Sequence, residues 1–113
     1  MNNKVFGASG EDFAAAYLSA RGHKIILRNY TTRLGEIDII TTDGRKTHFV
    51  EVKTRSGNKF GRPYESITRE KLAHIKRVAE VYIQQTKSRD EGVIKEYTID
   101  VIEIMVNHIE GVE

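Results

Sequence analysis

The chain contains no cysteine and only one proline. Without cysteine, neither a disulfide framework nor a thiolate zinc site nor a cysteine nucleophile is available, and we expect a cytoplasmic protein. A single proline argues against long disordered linkers. No apolar run approaches the length of a membrane span, and the N-terminus lacks the apolar stretch of a signal peptide. We therefore expect neither membrane insertion nor secretion.

The composition that remains is typical of one folded domain. Of the 113 residues, 39% are hydrophobic and 30% are charged, which is ordinary for a globular protein. We expect one domain over residues 1–113 with a single core, and a loose tail over residues 107–113. The net charge of +2 is too small to indicate a nucleic-acid-binding protein. That function would need local clusters of basic residues.

The spacing of apolar residues predicts an α/β protein with the element order αβββαβ. The first helix has a serine N-cap and apolar residues at helical spacing. Its N-cap is Ser9, its last residue is Ala20, and its apolar positions are Phe13, Ala16, Tyr17 and Ala20. The other predicted elements are strands at Lys24–Thr32, Glu36–Ile40 and Thr47–Lys53, a loop at Ser56–Pro63, a helix at Ser66–Thr86 and a strand at Ile94–Val106.

The second and third strands form a predicted hairpin around the turn signal Asp43-Gly44. Facing residues in such a hairpin have numbers that add to a constant, and two odd registers are open: Thr42 faces either Arg45 or Thr47. Both registers divide the side chains into a charged face and an apolar face, because strand side chains alternate. The charged face holds Asp38, Glu51 and Lys53, and the apolar face holds Ile37, Ile39, Val50 and Val52. An even register would mix the two sets and leave carboxylates in the core.

Two carboxylates and a lysine on one sheet face can form a site for phosphodiester hydrolysis. Asp38 and Glu51 would supply oxygen ligands to Mg²⁺ or Mn²⁺, which stabilises negative charge and lowers the pKa of a bound water. Lys53 would orient that water or neutralise charge. The tripeptide Glu51-Val52-Lys53 is weak evidence by itself, because an acid-x-Lys match is expected about once by chance in such a chain. Alone, it could equally be a solvated strand face.

Motifs spread over most of the chain point to one family. They are Gly35–Ile40, Phe49–Arg55, Phe60-Gly61 and a helix that carries Lys71. Together they resemble the YraN family of small bacterial predicted endonucleases, and the resemblance extends from Gly10 to Val101. It implies the restriction-endonuclease-like fold of the PD-(D/E)xK superfamily, with an αβββαβ core and a mixed sheet flanked by helices. It also implies a similarity to archaeal Holliday-junction resolvases.

The resemblance also implies roles for individual residues. Asp38 and Glu51 would be metal ligands, and Lys53 would be the catalytic lysine. Glu11 would be a further acid of the metal site, although the dipole of a helix that starts nearby explains an acid at this position equally well. Ile37 stands where the superfamily name has proline.

A basic stretch follows the third strand, where a phosphate backbone would have to lie. It consists of Arg55, Lys59, Arg62, Arg69 and Lys71. We expect these side chains to contact phosphates rather than bases. The alternatives are that the stretch is solvated surface and that Lys71 makes an ordinary helix-surface ion pair. The four histidines are scattered along the sequence, so we expect neither a histidine zinc site nor a nucleophilic triad.

The sequence therefore predicts an endonuclease that depends on Mg²⁺ or Mn²⁺ and acts on nucleic acid, on DNA rather than RNA. By analogy with the resolvases, the substrate would be branched or damaged DNA. The first alternative is a module with the same fold that binds nucleic acid without cutting it. The second is a protein-interaction domain with no affinity for nucleic acid. Symmetric cutting of two strands would need two sites, which makes a homodimer attractive.

Overall fold

The computed structural model describes residues 3–56, 67–89 and 92–113. Within them, two helices and four strands follow one another in the predicted αβββαβ order. The elements are α1 (Asn3–Ala20), β1 (Lys24–Thr32), β2 (Gly35–Thr42), β3 (Thr47–Ser56), α2 (Arg69–Ser88) and β4 (Tyr97–Val106). Residues 57–63 of the predicted loop, which include Lys59 and Arg62, lie outside the described residues. Residues 107–113 contain no helix or strand.

The four strands form one mixed sheet in the order β1-β2-β3-β4. Neighbouring strands from β1 to β3 are antiparallel, and β4 is parallel to β3. The parallel pair requires a crossover, and α2 lies in it, between β3 and β4. In the part of the chain that the structure describes, no helix is long and apolar enough to cross a membrane.

Helix α1 begins at Asn3, earlier than the sequence predicts. Ser9 therefore lies inside the helix, and its prediction as the N-cap is wrong. Gly7 and Gly10 have low helix propensity, which is why the sequence pattern favours a later start. Glu11 is beyond the first turn, which contains no acidic residue, so the helix dipole does not explain its position.

The buried side of α1 also differs from the prediction. Ala14 and Leu18 are buried, whereas Phe13 is 63% exposed and Tyr17 is 46% exposed. The predicted apolar stripe is therefore shifted by one position relative to the buried one. Several alanines in this helix make the two stripes hard to distinguish from the sequence, and the buried stripe is the one with the smaller side chains.

Helix α2 begins with a side-chain cap. The Thr68 hydroxyl accepts a hydrogen bond from the backbone N–H of Lys71 at 3.0 Å, which satisfies one of the free donors of the first turn. Further along, α2 buries one stripe of side chains against the sheet. These side chains are Ile75, Val78, Ala79 and Tyr82.

The sheet has a separate core on each side. On the α2 side, buried strand residues pack with the stripe of α2, and these are Ile37, Ile40 and Phe49. On the α1 side, Ile39 and Val50 pack with Ala14 and Leu18. The sheet is therefore a layer between two helices, as predicted.

The β2–β3 hairpin has the second of the two predicted registers. Thr42 pairs with Thr47, and regular pairing continues to Ile39 opposite Val50. The prediction of one apolar face is wrong at Ile37, because Ile37 belongs to the core on the α2 side whereas Ile39 and Val50 belong to the core on the α1 side.

Strand β1 explains this difference, because its side chains change sides at Asn29. Arg28 contacts Asp12 of α1 at 2.7 Å, whereas the hydroxyl of Tyr30 donates to Gln85 of α2 at 2.5 Å. In a regular strand residues 28 and 30 would share a side. Asn29, between them, has a φ of 55°, in the left-handed region that asparagine tolerates better than most residues. We call this feature the side inversion.

The side inversion extends to β2, which pairs with β1 here. Regular pairing joins Arg28 to Ile39 and Tyr30 to Ile37. Ile39 therefore lies on the same side of the sheet as Arg28, and Ile37 lies on the same side as Tyr30. Asp38, between Ile37 and Ile39, consequently points to the α1 side. Regular alternation from Ile39 would instead have turned its side chain to the α2 side.

Helix α1 approaches β3 closely at Gly10. This approach helps to position Glu11, the next residue, which belongs to the candidate site. A Cβ on Gly10 would overlap the Thr54 hydroxyl and lie 3.7 Å from Ile104 Cδ1. Only glycine allows the helix to approach β3 this closely.

We predict that Gly10→Ala lowers the free energy of unfolding by about 1–3 kcal/mol, because overpacking displaces α1 from β3. This loss would occur although alanine favours a helix over glycine by about 1 kcal/mol. Urea denaturation measures the difference. Adding Thr54→Ala removes the overlapping hydroxyl and should restore most of the loss. A Gly10→Ala variant as stable as the parent would contradict the close packing.

Candidate functional site

Three carboxylates meet on the α1 side of the sheet. Glu11 comes from α1, and Glu36 and Asp38 come from β2. One oxygen of each lies within 4.8 Å of the others. We call these three residues the acidic group. The side inversion brings it together, because it turns Glu36 and Asp38 towards Glu11.

Asn29 connects two members of the acidic group. With its amide nitrogen turned towards the acids, its side chain donates to Glu36 Oε1 and to Glu11 Oε2, both at 3.2 Å. The residue that creates the side inversion with its backbone therefore also holds the acids with its side chain. No sequence signal points to Asn29, whereas regular strand alternation alone puts Glu36 on the same face as Asp38.

The acidic group has less positive charge around it than negative charge within it. Arg28 lies 3.9 Å from Glu11 Oε2, but it makes its closer contact, at 2.7 Å, with Asp12. Burial raises the pKa of Glu11, and the negative charge of Asp38 and a hydrogen bond with that carboxyl raise it further. Arg28 acts in the opposite direction and does not cancel these effects. The group therefore favours an added cation or proton.

Asp38 joins the acidic group to β3. Its Oδ2 accepts a hydrogen bond from the backbone N–H of Val52 at 2.7 Å. Regular pairing of β2 with β3 ends just before this point, at Ile39 and Val50, so the carboxylate satisfies a donor of β3 next to the end of the ladder. Val52 is the central residue of the predicted tripeptide, between Glu51 and Lys53.

Glu51 lies on the other side of β3 and has two lysine partners. It is 6% exposed, and its Oε1 is 3.5 Å from Lys53 Nζ and 3.3 Å from Lys71 Nζ. Lys71 comes from the first turn of α2. Glu51 is not part of the acidic group. The prediction that Asp38 shares one face with Glu51 and Lys53 is therefore wrong, because the side inversion turns Asp38 to the α1 side. The structure brings Asp38 together with Glu11, and Glu51 together with Lys53 and Lys71.

The rest of the predicted basic stretch is divided. Arg55 lies on β3 and contacts Glu103 of β4 through Nη1 and Oε1 at 3.2 Å. The other Glu103 oxygen, Oε2, is buried and accepts no hydrogen bond from the described residues. Arg69 is exposed at the start of α2, and Lys59 and Arg62 lie outside the described residues.

Two histidines lie close together at the other end of β3. The ring centroids of His23 and His48 are 4.5 Å apart, so two of the four histidines that are scattered along the sequence meet in the fold. His48 bridges Asp100 through Nδ1 at 2.6 Å and Asp43 through Nε2 at 2.8 Å. Burial alone would lower the pKa of His48, but its hydrogen bonds to Asp43 and Asp100 raise the pKa overall. The hydrogen bond with His48 in turn lowers the pKa of Asp43. This bridge ties β4 to the β2–β3 turn.

The acidic group has suitable donors for a hard divalent cation. Mg²⁺ and Mn²⁺ prefer carboxylate oxygens, and a cation would relieve the mutual repulsion of three carboxylates. The residues present therefore fit such an ion. Thiolate donors are excluded because the chain has no cysteine.

Comparisons with known proteins place the chain in a family. The uncharacterised protein family UPF0102 matches residues 10–104. The chain belongs to this family. It is the YraN family that the sequence motifs predicted, and its match includes the acidic group, Glu51 and both lysines.

Relatives of similar length cover nearly the whole chain. UPF0102 proteins of Caldicellulosiruptor saccharolyticus and Dictyoglomus turgidum are each 44% identical over 107 residues, covering 95% of this chain and 87% of the relative. The UPF0102 protein of Alkaliphilus oremlandii is 40% identical over 117 residues, covering 96% of this chain and 97% of the relative. The similarity therefore spans the described fold from α1 to β4.

The left-handed backbone of Asn29 predicts an unusual order of stability for the alanine and glycine variants at this position. At an ordinary strand position alanine is more stable than glycine by about 0.5–1 kcal/mol. At Asn29 we expect the reverse order, because a left-handed residue with a Cβ costs about 1–2 kcal/mol more than glycine. Urea denaturation of Asn29→Ala and Asn29→Gly measures this order. The same pair at Thr31, exposed on the same strand, is the matched control and should show the ordinary order. An unreversed order at Asn29 would contradict the inversion.

Proposed function

We propose that this protein is a metal-dependent nuclease that hydrolyses phosphodiester bonds of nucleic acid, with DNA as the principal substrate. The observation that carries the proposal is the hydrogen bond from Val52 to Asp38. It joins a group of carboxylates suited to a cation directly to the strand segment that carries Glu51 and Lys53. The carboxylates suited to a cation, on α1 and β2, are therefore connected to the stretch of β3 that carries a lysine suited to a phosphate.

The charges on the two sides of this segment are opposite in sign. On the α1 side, three carboxylates exceed the positive charge that Arg28 supplies. On the α2 side, two lysines face the single carboxylate of Glu51. A divalent cation is attracted to the first side and a phosphate to the second. Metal-assisted phosphoryl chemistry uses both a bound cation and positively charged groups that stabilise the phosphate.

Each residue has a proposed role in this chemistry. Glu11, Glu36 and Asp38 would hold Mg²⁺ or Mn²⁺, and the bound cation would supply a water of lowered pKa and stabilise negative charge. Lys53 would orient the attacking water or neutralise the developing charge. Glu51 would be a further acid of the site. Basic residues beside the site would contact the phosphate backbone, namely Arg55, Lys59, Arg62, Arg69 and Lys71.

The resemblance to the PD-(D/E)xK superfamily supports the same function. The αβββαβ order and the mixed sheet agree with the core of that superfamily, and by the resemblance Asp38, Glu51 and Lys53 would occupy the motif positions. By analogy with the Holliday-junction resolvases, branched or damaged DNA would be the preferred substrate.

One observation favours a second candidate function, binding of nucleic acid without cleavage. Glu51 is neutralised by Lys53 and Lys71 and is not part of the acidic group. A protein that used this surface only to bind phosphates would have the same ion pairs. Metal binding and cleavage separate the two functions.

The acidic group should bind Mn²⁺, and the cation should stabilise the folded chain. At a free Mn²⁺ concentration about one hundred times its dissociation constant, the unfolding free energy should rise by about 2.7 kcal/mol. Asp38→Asn should abolish this gain in thermal unfolding and the binding signal in calorimetry. Glu80→Gln, at an exposed site on α2, is the control and should leave both unchanged. Equal Mn²⁺ binding by the parent and Asp38→Asn would place the cation elsewhere.

Cleavage should require Glu51 and Lys53 in different ways. A panel of duplex, single-stranded, flap and four-way-junction DNA with Mg²⁺ or Mn²⁺ identifies the substrate. On that substrate, Glu51→Gln should reduce turnover by about two to three orders of magnitude and weaken metal binding. Lys53→Ala should reduce turnover comparably while metal binding persists, because lysine is not a ligand. If the folded parent binds DNA but cuts none of the panel, the binding module replaces the nuclease.

A further inference from the structure

The apolar stripe that the sequence predicts for α1 faces solvent. Phe13 is 63% exposed, Tyr17 is 46% exposed, and Ala16 and Ala20 are exposed as well. We call these four residues the outer stripe. Single exposed apolar residues are normal on a protein surface, whereas a contiguous apolar patch commonly marks an interaction site. The outer stripe is therefore a candidate contact surface on the side of α1 that faces away from the sheet.

Charged residues border the outer stripe on its two flanks. A helix turns by about 100° per residue, which puts Asp12 on one flank and Arg21, directly after the helix, on the other. The Asp12 carboxylate is bonded to Arg28 at 2.7 Å, and the Arg21 guanidinium lies 5.5 Å from the centroid of the Tyr17 ring. An apolar centre with a polar rim is the usual arrangement of a protein–protein interface.

The order of large and small residues makes the outer stripe complementary to itself. When two copies of one helix pack antiparallel about a twofold axis, facing residues have numbers that add to a constant. With Ala16 facing the second copy's Tyr17, Phe13 faces the second copy's Ala20. Every layer of the pair then contains one aromatic ring and one alanine, so each ring fills the space that an alanine leaves. A parallel pair would instead put ring against ring and alanine against alanine.

Charge and area also favour a second copy as the occupant of the outer stripe. In the antiparallel pair Asp12 lies at the level of the second copy's Arg21, whereas a parallel pair would put like charges at one level and align the helix dipoles. An aromatic residue buries about 150–250 Å², so the exposed parts of Phe13 and Tyr17 offer roughly 200 Å² on each copy. Stable interfaces bury about 1,200–2,000 Å² in total. The outer stripe therefore suits a smaller, reversible interface.

We propose that the outer stripe is the contact surface of a reversible homodimer, in which two copies of α1 pack antiparallel about a twofold axis at the level between Ala16 and Tyr17. The inference is independent of the proposed nuclease function. Glu11 points to the other side of α1, where it meets Glu36 and Asp38, so the pairing does not involve the acidic group. The dimer would hold two acidic groups at a fixed separation.

Sedimentation equilibrium of the parent protein, from a few micromolar to several hundred micromolar, tests the association. Half of the chains should be paired at tens of micromolar, an affinity that suits an interface below the standard size. Ala16→Glu puts like charges at the centre of the pair and should weaken the association at least about tenfold. Gln84→Glu, exposed on α2, makes the same change in net charge and should leave the association unchanged. Urea denaturation should show that both variants are folded, because both sites are exposed.

Disulfide cross-linking tests the antiparallel register, since the chain has no cysteine of its own. In the proposed pair the Ala16 positions of the two copies differ in level by about 1.5 Å along the helix axis, whereas the Ala20 positions differ by about 10 Å. A disulfide needs Cα atoms about 4.4–6.8 Å apart. Under a mild oxidant Ala16→Cys should therefore form a covalent dimer, and Ala20→Cys should form it at least about tenfold more slowly.

Three results would overturn the inference. The first is a parent protein that stays monomeric at several hundred micromolar. In that case, weaker binding of a labelled DNA duplex by Ala16→Glu than by Gln84→Glu would assign the outer stripe to nucleic acid instead. The second is an association that Ala16→Glu leaves as strong as in the parent, since the dimer would then use another surface. The third is equal cross-linking of Ala16→Cys and Ala20→Cys, which indicates a parallel pair or random collision.

Discussion

The candidate site depends on one backbone feature, the left-handed conformation of Asn29. Its φ of 55° makes consecutive side chains of β1 change sides, and the pairing of β1 with β2 transmits the change to Asp38. With regular alternation, Asp38 would face α2 and Glu11 would have no carboxylate beside it on the sheet. One residue in an uncommon conformation therefore decides which acids meet. Its amide then bonds to two of them.

The same inversion separates charges that a regular hairpin would mix. Asp38 would face Glu51 if the hairpin pairing continued one step beyond Ile39 and Val50, so regular strands would put both carboxylates beside Lys53. The inverted strand sends Asp38 to the α1 side, where its carboxylate still reaches β3 through the Val52 N–H. The sheet consequently keeps an acidic surface and a lysine-rich surface on its two sides, in contact through one hydrogen bond.

Apolar periodicity was sufficient to predict the element order and to reduce the hairpin to two registers, because both depend on which side chains are buried. It could not predict the side inversion, which depends on the φ of Asn29 and leaves the apolar pattern of β2 intact. It also misplaced the start and the buried stripe of α1, where glycine and alanine carry little pattern. Glu11, Asp38, Glu51 and Lys53 were all predicted as candidates, Glu11 through the family resemblance and the other three also from strand alternation. The contacts that divide them into two groups were not, because Asn29 and Lys71 form them across elements distant in sequence.

Several features of this region oppose stability, and they coincide. Three carboxylates lie within 4.8 Å, a non-glycine residue is left-handed, and a lysine stands in the first turn of a helix. Each costs free energy in the isolated chain. Such departures from local preference concentrate at functional sites, where a ligand offsets them. The two charged surfaces require opposite ligands, a cation for the acids and an anion for the lysines.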